Sequence, residues 1–496
     1  MYLVNKIKQI KQIIFIYPYI RKKIYKMEGA SGVSFNRALN YNIKQLSGFS
    51  KVPVRLNPDK WDKIVAGETI KVALPANCLV DLRSFVCYFK GSGTTSAKNV
   101  HFPRLTSSLI KCLSVYVNGN LIERIDNYSV LYNKLYDMDG GGLDQTTKRH
   151  LENADPSITI STATDLATSS GNPSITSKLA TSTTNRKFCI NNWLGFLGSS
   201  STSIIDVGDL NRVEVEITFE NENVMFQSTS DTRVTGHNYE LNDIHFMINK
   251  IQFQNPLYYQ MKASKLLSSG LTIGYTTYIS SKGALTAKGS SVNVYTSINT
   301  TSLDQLIGTM TPELNSTSNL LLYGNWDASS SATNAYEFNK IYNSGITTAD
   351  AGTSATIGGF YNQSRYFRSD AVGLTSATFE INNTPLHPIP LQDYEIFQEN
   401  LIALGYNNID MGGSSIHAGC IGLGNFLKYY FVIITSLEML QNEAFYKSGL
   451  DGLSSSLNVV FKMVFSSTDS SFYPYIFAKT TRILQINEGH SIAVIV

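Results

Sequence analysis

One pattern of strand, tight turn, strand and short helix occurs twice in the sequence. Its first copy spans Leu109–Met138 and reads LIKCLSVYVNGNLIERIDNYSVLYNKLYDM. Apolar and polar residues alternate up to Asn118-Gly119, a dipeptide that favours the positive φ angles of a two-residue β-hairpin turn. A return strand follows, and Asp126 or Asn127 then stands where a side chain can cap a helix.

The second copy spans Thr378–Leu404 and reads TFEINNTPLHPIPLQDYEIFQENLIAL. Asn382-Asn383 takes the place of the turn, because Asn tolerates left-handed φ. Each copy is followed by a Leu-Asn pair that opens a long alternating strand, after Leu210 in the first and after Leu457 in the second. Residues 244–255 then match residues 476–487. Agreement of several elements in the same order indicates a tandem duplication.

The duplication predicts an all-β fold of two tandem eight-stranded jelly-roll sandwiches, with a short helix after a hairpin in each and long exposed loops. Jelly rolls keep their strands and vary their connections. Pro156–Asn185 and Thr311–Leu374, which are rich in Ser, Thr and Asn, are the two long loops. We expect a flexible segment at 27–50, the first jelly roll at 51–256, a linker helix at 257–268 and the second jelly roll at 269–496.

The composition favours a protein with large uncharged surfaces. Only 16% of the 496 residues are charged, and Ser, Thr, Asn, Gly and Tyr take their place. Seven of the 41 Lys and Arg residues lie in Met1–Lys26, which has no acidic residue, so the remaining chain has 34 basic and 38 acidic residues and a net charge of −4. The body therefore lacks the basic stripe that nucleic-acid backbones require.

Met1–Lys26 allows three interpretations. It is a basic amphipathic arm on a membrane surface, an arm that reaches nucleic acid, or upstream sequence attached through a wrong start. Its composition differs sharply from that of the body and it ends at Met27, which favours the third interpretation with Met27 as the initiator.

The five cysteines form no CxxC pair, and four of them lie in apolar runs, so they indicate a reducing compartment and free buried thiols. No apolar run approaches the length of a membrane span.

The sequence predicts no catalytic, cofactor-binding or metal site and no enzymatic activity. Known nucleotide, hydrolase and zinc signatures are missing from it. His417 and Cys420 share a short stretch, but nothing supplies the third group of a nucleophilic site. Arg212, Glu214 and Glu216 fit the solvent-facing side of a strand, and Asp137, Asp139 and Asp144 fit the end of a helix. The glycosylation sequons at Asn299, Asn315, Asn362 and Asn382 are expected by chance in a chain of this composition.

Three stretches resemble the double jelly-roll major capsid proteins of viruses, most closely those of polinton-like viruses and virophages. They are LIKCLSVYVNGNLIERIDNYSVLYNKLYD, WLGFL…IIDVGDLNRVEVEITFE and YPYIFAKTTRILQINEG, and the resemblance covers the chain from about Ser50 to its end.

This resemblance implies a structural protein of the virion of a DNA virus, assembled inside the host cell. Three subunits would form a homotrimer with a pseudo-hexameric outline, and trimers would tile an icosahedral capsid. Its partners would be other copies of itself, penton and minor capsid proteins, and an internal membrane or the genome through the N-terminal segment, with no small-molecule substrate. The two long loops would form outward towers.

Two other classes of protein fit a β-sandwich. A carbohydrate-binding protein, such as a spike or lectin, would place exposed aromatic residues on a sheet face or loop rim. A sandwich hydrolase would need a convergent carboxylate or histidine cluster, which the sequence lacks.

Overall fold

The computed structural model describes residues 49–93, 100–139, 157–160, 186–227, 239–313, 355–358, 365–405 and 426–495, with short gaps inside some of these ranges. Residues 51–252 and 259–496 form one compact unit, which contains both sandwiches. The flexible segment predicted at 27–50 lies outside the described residues except for its last two, and Met1–Lys26 lies wholly outside them.

The first sandwich consists of two facing sheets with a small ribbon beside them. One sheet has the strand order β1-β13-β4-β10, with β2 also on β13 and β9 also on β4; the other has the order β3-β11-β6-β7; β5 pairs with β12. The strands are β1 Phe49–Leu56, β2 Lys63–Val65, β3 Thr69–Ala73, β4 Leu79–Gly93, β5 Val100–His101, β6 Ile110–Val117, β7 Asn120–Asp126, β9 Arg186–Ile190, β10 Ile204–Asp206, β11 Val213–Phe219, β12 Phe226–Gln227 and β13 Tyr239–Phe253.

The second sandwich repeats this plan. Its sheets have the orders β14-β23-β17-β21, with β15 and β24 also on β23, and β16-β22-β19-β20. The strands are β14 Leu271–Lys282, β15 Thr286–Ala287, β16 Val292–Ile298, β17 Leu303–Pro312, β19 Leu374–Ile381, β20 Thr384–Pro385, β21 Val432–Ser436, β22 Leu457–Phe465, β23 Ser471–Ile486 and β24 Ile492–Ile495.

The two sandwiches therefore agree strand for strand. The eight strands of the two main paths occur in the same chain order and occupy the same sheet positions in each sandwich. The chain crosses repeatedly between the facing sheets, which is the connectivity of a jelly roll. The predicted fold class, two tandem eight-stranded jelly rolls, is confirmed. The predicted domain boundaries stay a prediction, although the described residues between 259 and 266 are helical.

The Asn turns and the Leu-Asn pairs of the repeat are in contact. Asn118 and Asn382 both have φ of 50° at the tips of their hairpins, as the turn prediction requires. The side chain of Asn211 donates to Oδ1 of Asn118 at 3.1 Å, and the backbone N–H of Asn458 donates to Oδ1 of Asn382 at 2.9 Å. Each hairpin tip is thus fixed to the strand that pairs beside it. The two Leu-Asn pairs are nevertheless offset by one residue, because Asn118 N–H donates to the carbonyl of Arg212 whereas Asn382 N–H donates to that of Asn458.

A helix follows the hairpin in both sandwiches. Among the described residues, the helices with defined bounds are α1 Tyr128–Asp139, α2 Phe196–Ser199, α3 Val207–Leu210 and α4 Asp393–Ala403, with 3-10 turns at Thr106–Leu109, Glu222–Val224 and Arg365–Phe367. In α4, Gln392 and Glu395 form a reciprocal capping box.

The sequence predicted that the side chain of Asp126 or Asn127 caps α1, but both side chains bind other groups. The carboxylate of Asp126 accepts from the guanidinium of Arg124, with N–O distances of 3.0–3.1 Å. Asn127 adopts a left-handed φ of 52°, and its side chain donates to Ser280 at 2.7 Å. The side chain of Asn127 is thus used for a tertiary contact instead of a helix cap, because Ser280 lies on the second sandwich.

The repeated alternating strands face the core as expected. On β11, Val213, Val215 and Ile217 are buried while the residues between them are partly exposed. Their counterparts on β22, Val459, Phe461 and Met463, are buried as well. Period-two alternation thus identified the inner face of each sandwich.

Strand β17 is a strand that the sequence analysis missed. Nine of its ten residues are buried, including Asp304, Gln305 and Thr309, so no alternation is visible in its sequence. Burial of the polar side chains is compensated by hydrogen bonds; for example, Thr481 donates to Asp304 at 2.6 Å. The predicted loop at Thr311–Leu374 therefore starts too early, since β17 continues to Pro312.

Other element predictions were also incomplete. Inside the two predicted loops, β8 Ser157–Ile160 and β18 Ala355–Gly358 pair antiparallel, because each has the short alternation of β-branched residues typical of strands. The aromatic stretch at 188–197 is divided between two elements: β9 ends at Ile190, and α2 begins after Gly195, which adopts a φ of 74°. Residues 161–185 of the first predicted loop and residues 314–354 and 359–364 of the second lie outside the described residues.

Gly308 on β17 lets the two sheets of the second sandwich approach each other. A Cβ at this position would lie 2.7 Å from Phe461 and 2.9 Å from both Ile433 and Phe379. We expect Gly308→Ala to lower the free energy of unfolding by about 1–3 kcal/mol, the usual cost of overpacking a core. Gly289→Ala is the control, because a Cβ there meets nothing within 4 Å. Equal denaturant midpoints for the two variants would contradict this packing.

Candidate functional site: the junction between the two sandwiches

The charged residues that the sequence singled out on β11 form a solvated outer face. Arg212 contacts Glu214 with an N–O distance of 2.5 Å, and Lys71 contacts Glu216 at 2.8 Å. Both glutamates are paired across or along the sheet and partly exposed, so they form no convergent carboxylate pair. The pairing and exposure of these glutamates agree with the sequence interpretation that they lie on the outer face of the strand.

The other candidate residues contribute no site within the described part of the chain. His417, Cys420 and Asp144, the side chains of Asp137 and Asp139, and Asn315 and Asn362 lie outside it. Among the described residues, no three His, Cys, Asp or Glu side chains are grouped as metal ligands require, and no helix is long and apolar enough to cross a membrane. Cys78, Cys87, Cys112 and Cys189 are free thiols, and burial raises the pKa of Cys112 to about 11.

Several polar side chains and backbone groups are hydrogen-bonded to each other where the two sandwiches meet. The first sandwich contributes β7, α1 and the residues after α2, and the second contributes β14. Ser201 N–H donates to the carbonyl of Gly274 at 2.7 Å, and Gly274 N–H donates to the Ser201 hydroxyl at 3.0 Å. Ser199 Oγ accepts from Thr276 N–H at 2.9 Å. The outer edge of β14 is thereby hydrogen-bonded.

Tyr275 is a large, buried side chain of β14 in this junction. Its hydroxyl donates to the carbonyl of Ile122 at 2.9 Å. Its ring meets Phe196 edge-on, with centroids 5.3 Å apart, a favourable arrangement of two aromatic quadrupoles. Burial raises the pKa of Tyr275 well above its ordinary value, so the phenol stays protonated and remains a donor.

Glu123 is a buried acid at the centre of the junction. Only 1% of its surface is exposed, and its Oε2 accepts from Phe196 N–H at 2.8 Å. Burial raises the pKa of Glu123 to about 7, and this effect exceeds the opposing influence of Thr277, Phe196 N–H and Arg482. Gly195 is required here, because a Cβ at that position would overlap the Glu123 carboxylate.

Two further buried polar contacts extend the junction along α1. The hydroxyl of Ser129 donates to the carboxylate of Glu220 at 2.6 Å, and burial raises the pKa of Glu220. The ammonium group of Lys134 donates to the carbonyl of Phe367 at 2.5 Å, and Lys134 is fully buried. Helix α1 is thus held to residues far along the chain by hydrogen bonds that water does not reach.

The sequence analysis did not identify these residues. One signal was available, because Glu123 lies two positions before Ile125 and therefore on the same, buried face of the return strand. A charged residue on the inner side of a strand costs free energy unless a partner is near. The partners, Phe196, Thr277 and Arg482, are 73 to 359 positions away in the sequence, and only the fold brings them together.

Solved structures with this architecture are viral capsid proteins. The chain is similar to a chain of the PBCV-1 virus capsid, with 10% identity, coverage of 91% of this chain and 97% of that chain, and a TM-score of 0.57. It is also similar to the Faustovirus major capsid protein, with 10% identity, coverage of 92% and 93%, and a TM-score of 0.51. A chain of the Sputnik virophage matches with 10% identity, coverage of 90% and 88%, and a TM-score of 0.51.

These similarities are structural. No protein-family model matches the sequence, and no curated protein matches it significantly. At 10% identity the solved structures establish a shared fold: this chain has the double jelly-roll fold of those capsid proteins. The resemblance drawn from the sequence motifs is confirmed at that level.

Glu123 makes the stability of the junction depend on pH. Its pKa is about 7 in the folded chain against 4.5 when exposed, so the folded state binds the proton more tightly. The tighter proton binding adds to the free energy of unfolding in full below about pH 4.5, and this stabilisation is lost as the pH rises through 7. The stabilisation lost is on the order of 3 kcal/mol for a pKa shift of this size. We expect Glu123→Gln, which stays neutral, to exceed the wild type in unfolding midpoint at pH 8 and to lose that advantage at pH 5.

The matched control for this measurement is Glu216→Gln, because Glu216 lies on the solvated face of β11. Denaturant midpoints of the three proteins should be measured from pH 4.5 to pH 8.5. Parallel pH profiles for the wild type and Glu123→Gln would contradict the assignment of the buried acid.

Proposed function

We propose that this protein is a viral major capsid protein, whose homotrimers with pseudo-hexameric outline tile the icosahedral shell of a DNA virus. One observation carries the proposal: two jelly rolls with the same strand order stand in tandem in one chain, over an extent that matches 97% of a PBCV-1 capsid chain. Three chains with two sandwiches each supply six similar bodies, which is what a near-hexagonal tile requires.

The chemistry of the surface supports a role in assembly. With 16% charged residues, the chain can bury broad contact areas with little desolvation of charge. Several large apolar side chains are exposed, among them Tyr295, Ile389, Tyr394 and Met439. Aromatic and methionine side chains are enriched at protein interfaces, whereas a monomer gains nothing from exposing them. We infer a structural role rather than a catalytic one.

The remaining parts of the proposal concern organisation and partners. We place the first jelly roll at 51–256 and the second at 269–496, supported by the end of β13 at Phe253 and the start of β14 at Leu271. We propose that copies of this chain are its main partners, with penton and minor capsid proteins completing the shell. An N-terminal segment on the inner side would face a membrane or the genome. The protein would reside in the virion capsid after assembly inside the host cell.

The carbohydrate-binding alternative has no specific observation in its favour. The exposed aromatic residues lie on separate segments of the chain, whereas a lectin would group them; they are Trp61, Tyr88, Tyr259, Tyr295 and Tyr394. A depression lined by residues 59–63 contains Trp61, but ion pairs such as Lys60–Glu68 occupy its rim.

The purified chain should have the solution mass of three copies by light scattering, because only an oligomer buries the exposed apolar surface. Negative-stain images should show hexagonal particles or arrays with six densities per trimer. A glycan-binding screen is the control for the alternative. A stable monomer that binds glycans and forms no arrays would contradict the capsid proposal.

A further inference from the structure

The helix and hairpin that the junction buries in the first sandwich are exposed in the second. In the first sandwich Leu113 pairs with Ile125. In the second sandwich Ala377 pairs with Leu391, and this pair occupies the same position in its sheet. This register makes Tyr394 the counterpart of Tyr128. Tyr128 is fully buried, whereas 75% of Tyr394 is exposed. The second sandwich therefore presents an uncovered version of the surface that the first sandwich uses inside the chain.

The surface that receives this contact is also duplicated. Inside the chain the receiving strand is β14, and its counterpart in the first sandwich is β1, since each is the outer strand beside the last long strand, β23 or β13. Whereas β14 is covered by the first sandwich, Lys51, Val52, Pro53 and Arg55 on β1 are exposed. Within the described residues β1 ends its sheet, and an outer strand of this kind is open to pairing with another chain.

The exposed hairpin differs from its buried counterpart by an insertion. Three residues separate Leu121 from Ile125, and five residues, Leu386–Pro390, separate the equivalent Pro385 from Leu391. Pro388 and Pro390 lack the N–H groups needed to extend the sheet, so the segment leaves it. Ile389 between them is 74% exposed. An isoleucine held out by two prolines is suited to insertion into a partner surface.

We propose that the second sandwich of one copy docks, through Leu386–Pro390 and the start of α4, on β1 of the next copy, repeating the internal junction between chains. This inference rests on the proposed function, because it identifies the trimer contact. The signs of the charges on the two surfaces are opposite, with Asp393 and Glu395 in the first turn of α4 and Lys51 and Arg55 on β1. Lys51 and Arg55 also contact Asp81 and Asp243 of their own chain, so the apolar residues carry the contact. The apolar partners are Ile389 and Tyr394 on one side and Val52 on the other.

The geometry of the contact determines the kind of assembly. It joins two different surfaces, so it is heterologous and produces either a closed ring or an open filament. Each chain already contains one such contact between its own sandwiches. A ring of three chains alternates three internal junctions with three contacts between chains. Six similar contacts then relate six similar bodies.

The first test removes the apolar anchors without touching the core. Ile389→Asp combined with Tyr394→Ala should change the solution mass from three chains to one, with an unchanged far-ultraviolet circular dichroism spectrum. Tyr295→Ala is the matched control, because Tyr295 is 69% exposed on β16, away from the proposed contact, and this variant should stay trimeric. A double variant that remains trimeric overturns the inference.

The second test locates the contact directly. Val52→Cys combined with Ile389→Cys, treated with a short bis-maleimide, should give a covalent ladder that ends at three chains. Each single variant should give no more product than the wild type, which controls for the native cysteines. A ladder that ends at two chains indicates a two-fold contact and overturns the inference, and so does the absence of any new product from a trimeric double variant.

The two tests separate failure of the inference from failure of the proposed function. A wild-type protein that is monomeric and forms no arrays contradicts the capsid role itself. A wild-type trimer whose mass and cross-linking do not respond to the variants keeps the capsid role and places the trimer contact elsewhere.

Discussion

The structure depends on covering the open edge of a β-sheet. An outer strand carries unpaired N–H and carbonyl groups, and a stable fold must pair or protect them. In this chain the edge of β14 is covered by the first sandwich, through hydrogen bonds from Ser199 and Ser201 and through the packing of Tyr275 on Phe196. The two sandwiches consequently form one compact unit. The covering surface combines the residues after α2 with the hairpin and helix that the sequence repeats, which contact Tyr275 and Ser280.

The polar character of the junction limits how it can be arranged. Glu123, Glu220 and Lys134 are buried where the sandwiches meet, and each has a partner with a specific position. A shifted packing of the two sandwiches would separate these side chains from their partners. Such a packing is disfavoured, because leaving a buried charge without its partner costs several kcal/mol. An apolar junction would tolerate sliding more easily. A fixed angle between repeated bodies is what a shell built from many copies needs.

Much of the fold could be predicted because duplication is visible in local patterns. The Asn turns at Asn118 and Asn382 and the alternation on β11 are local features, and each was where the sequence indicated. Strand β17 was missed because both of its faces are buried. The cap of α1 was misjudged because Asn127 binds Ser280 across the junction. Glu123 was missed because its partners are distant in sequence.

A cryo-EM reconstruction of the assembled protein tests the central claim most directly. The account predicts a ring of six sandwiches from three chains, in which α4 and Leu386–Pro390 of each chain cover β1 of the next, and in which this contact superposes on the internal junction. A two-fold assembly, or a ring in which the outer edge of β1 faces solvent, would contradict it.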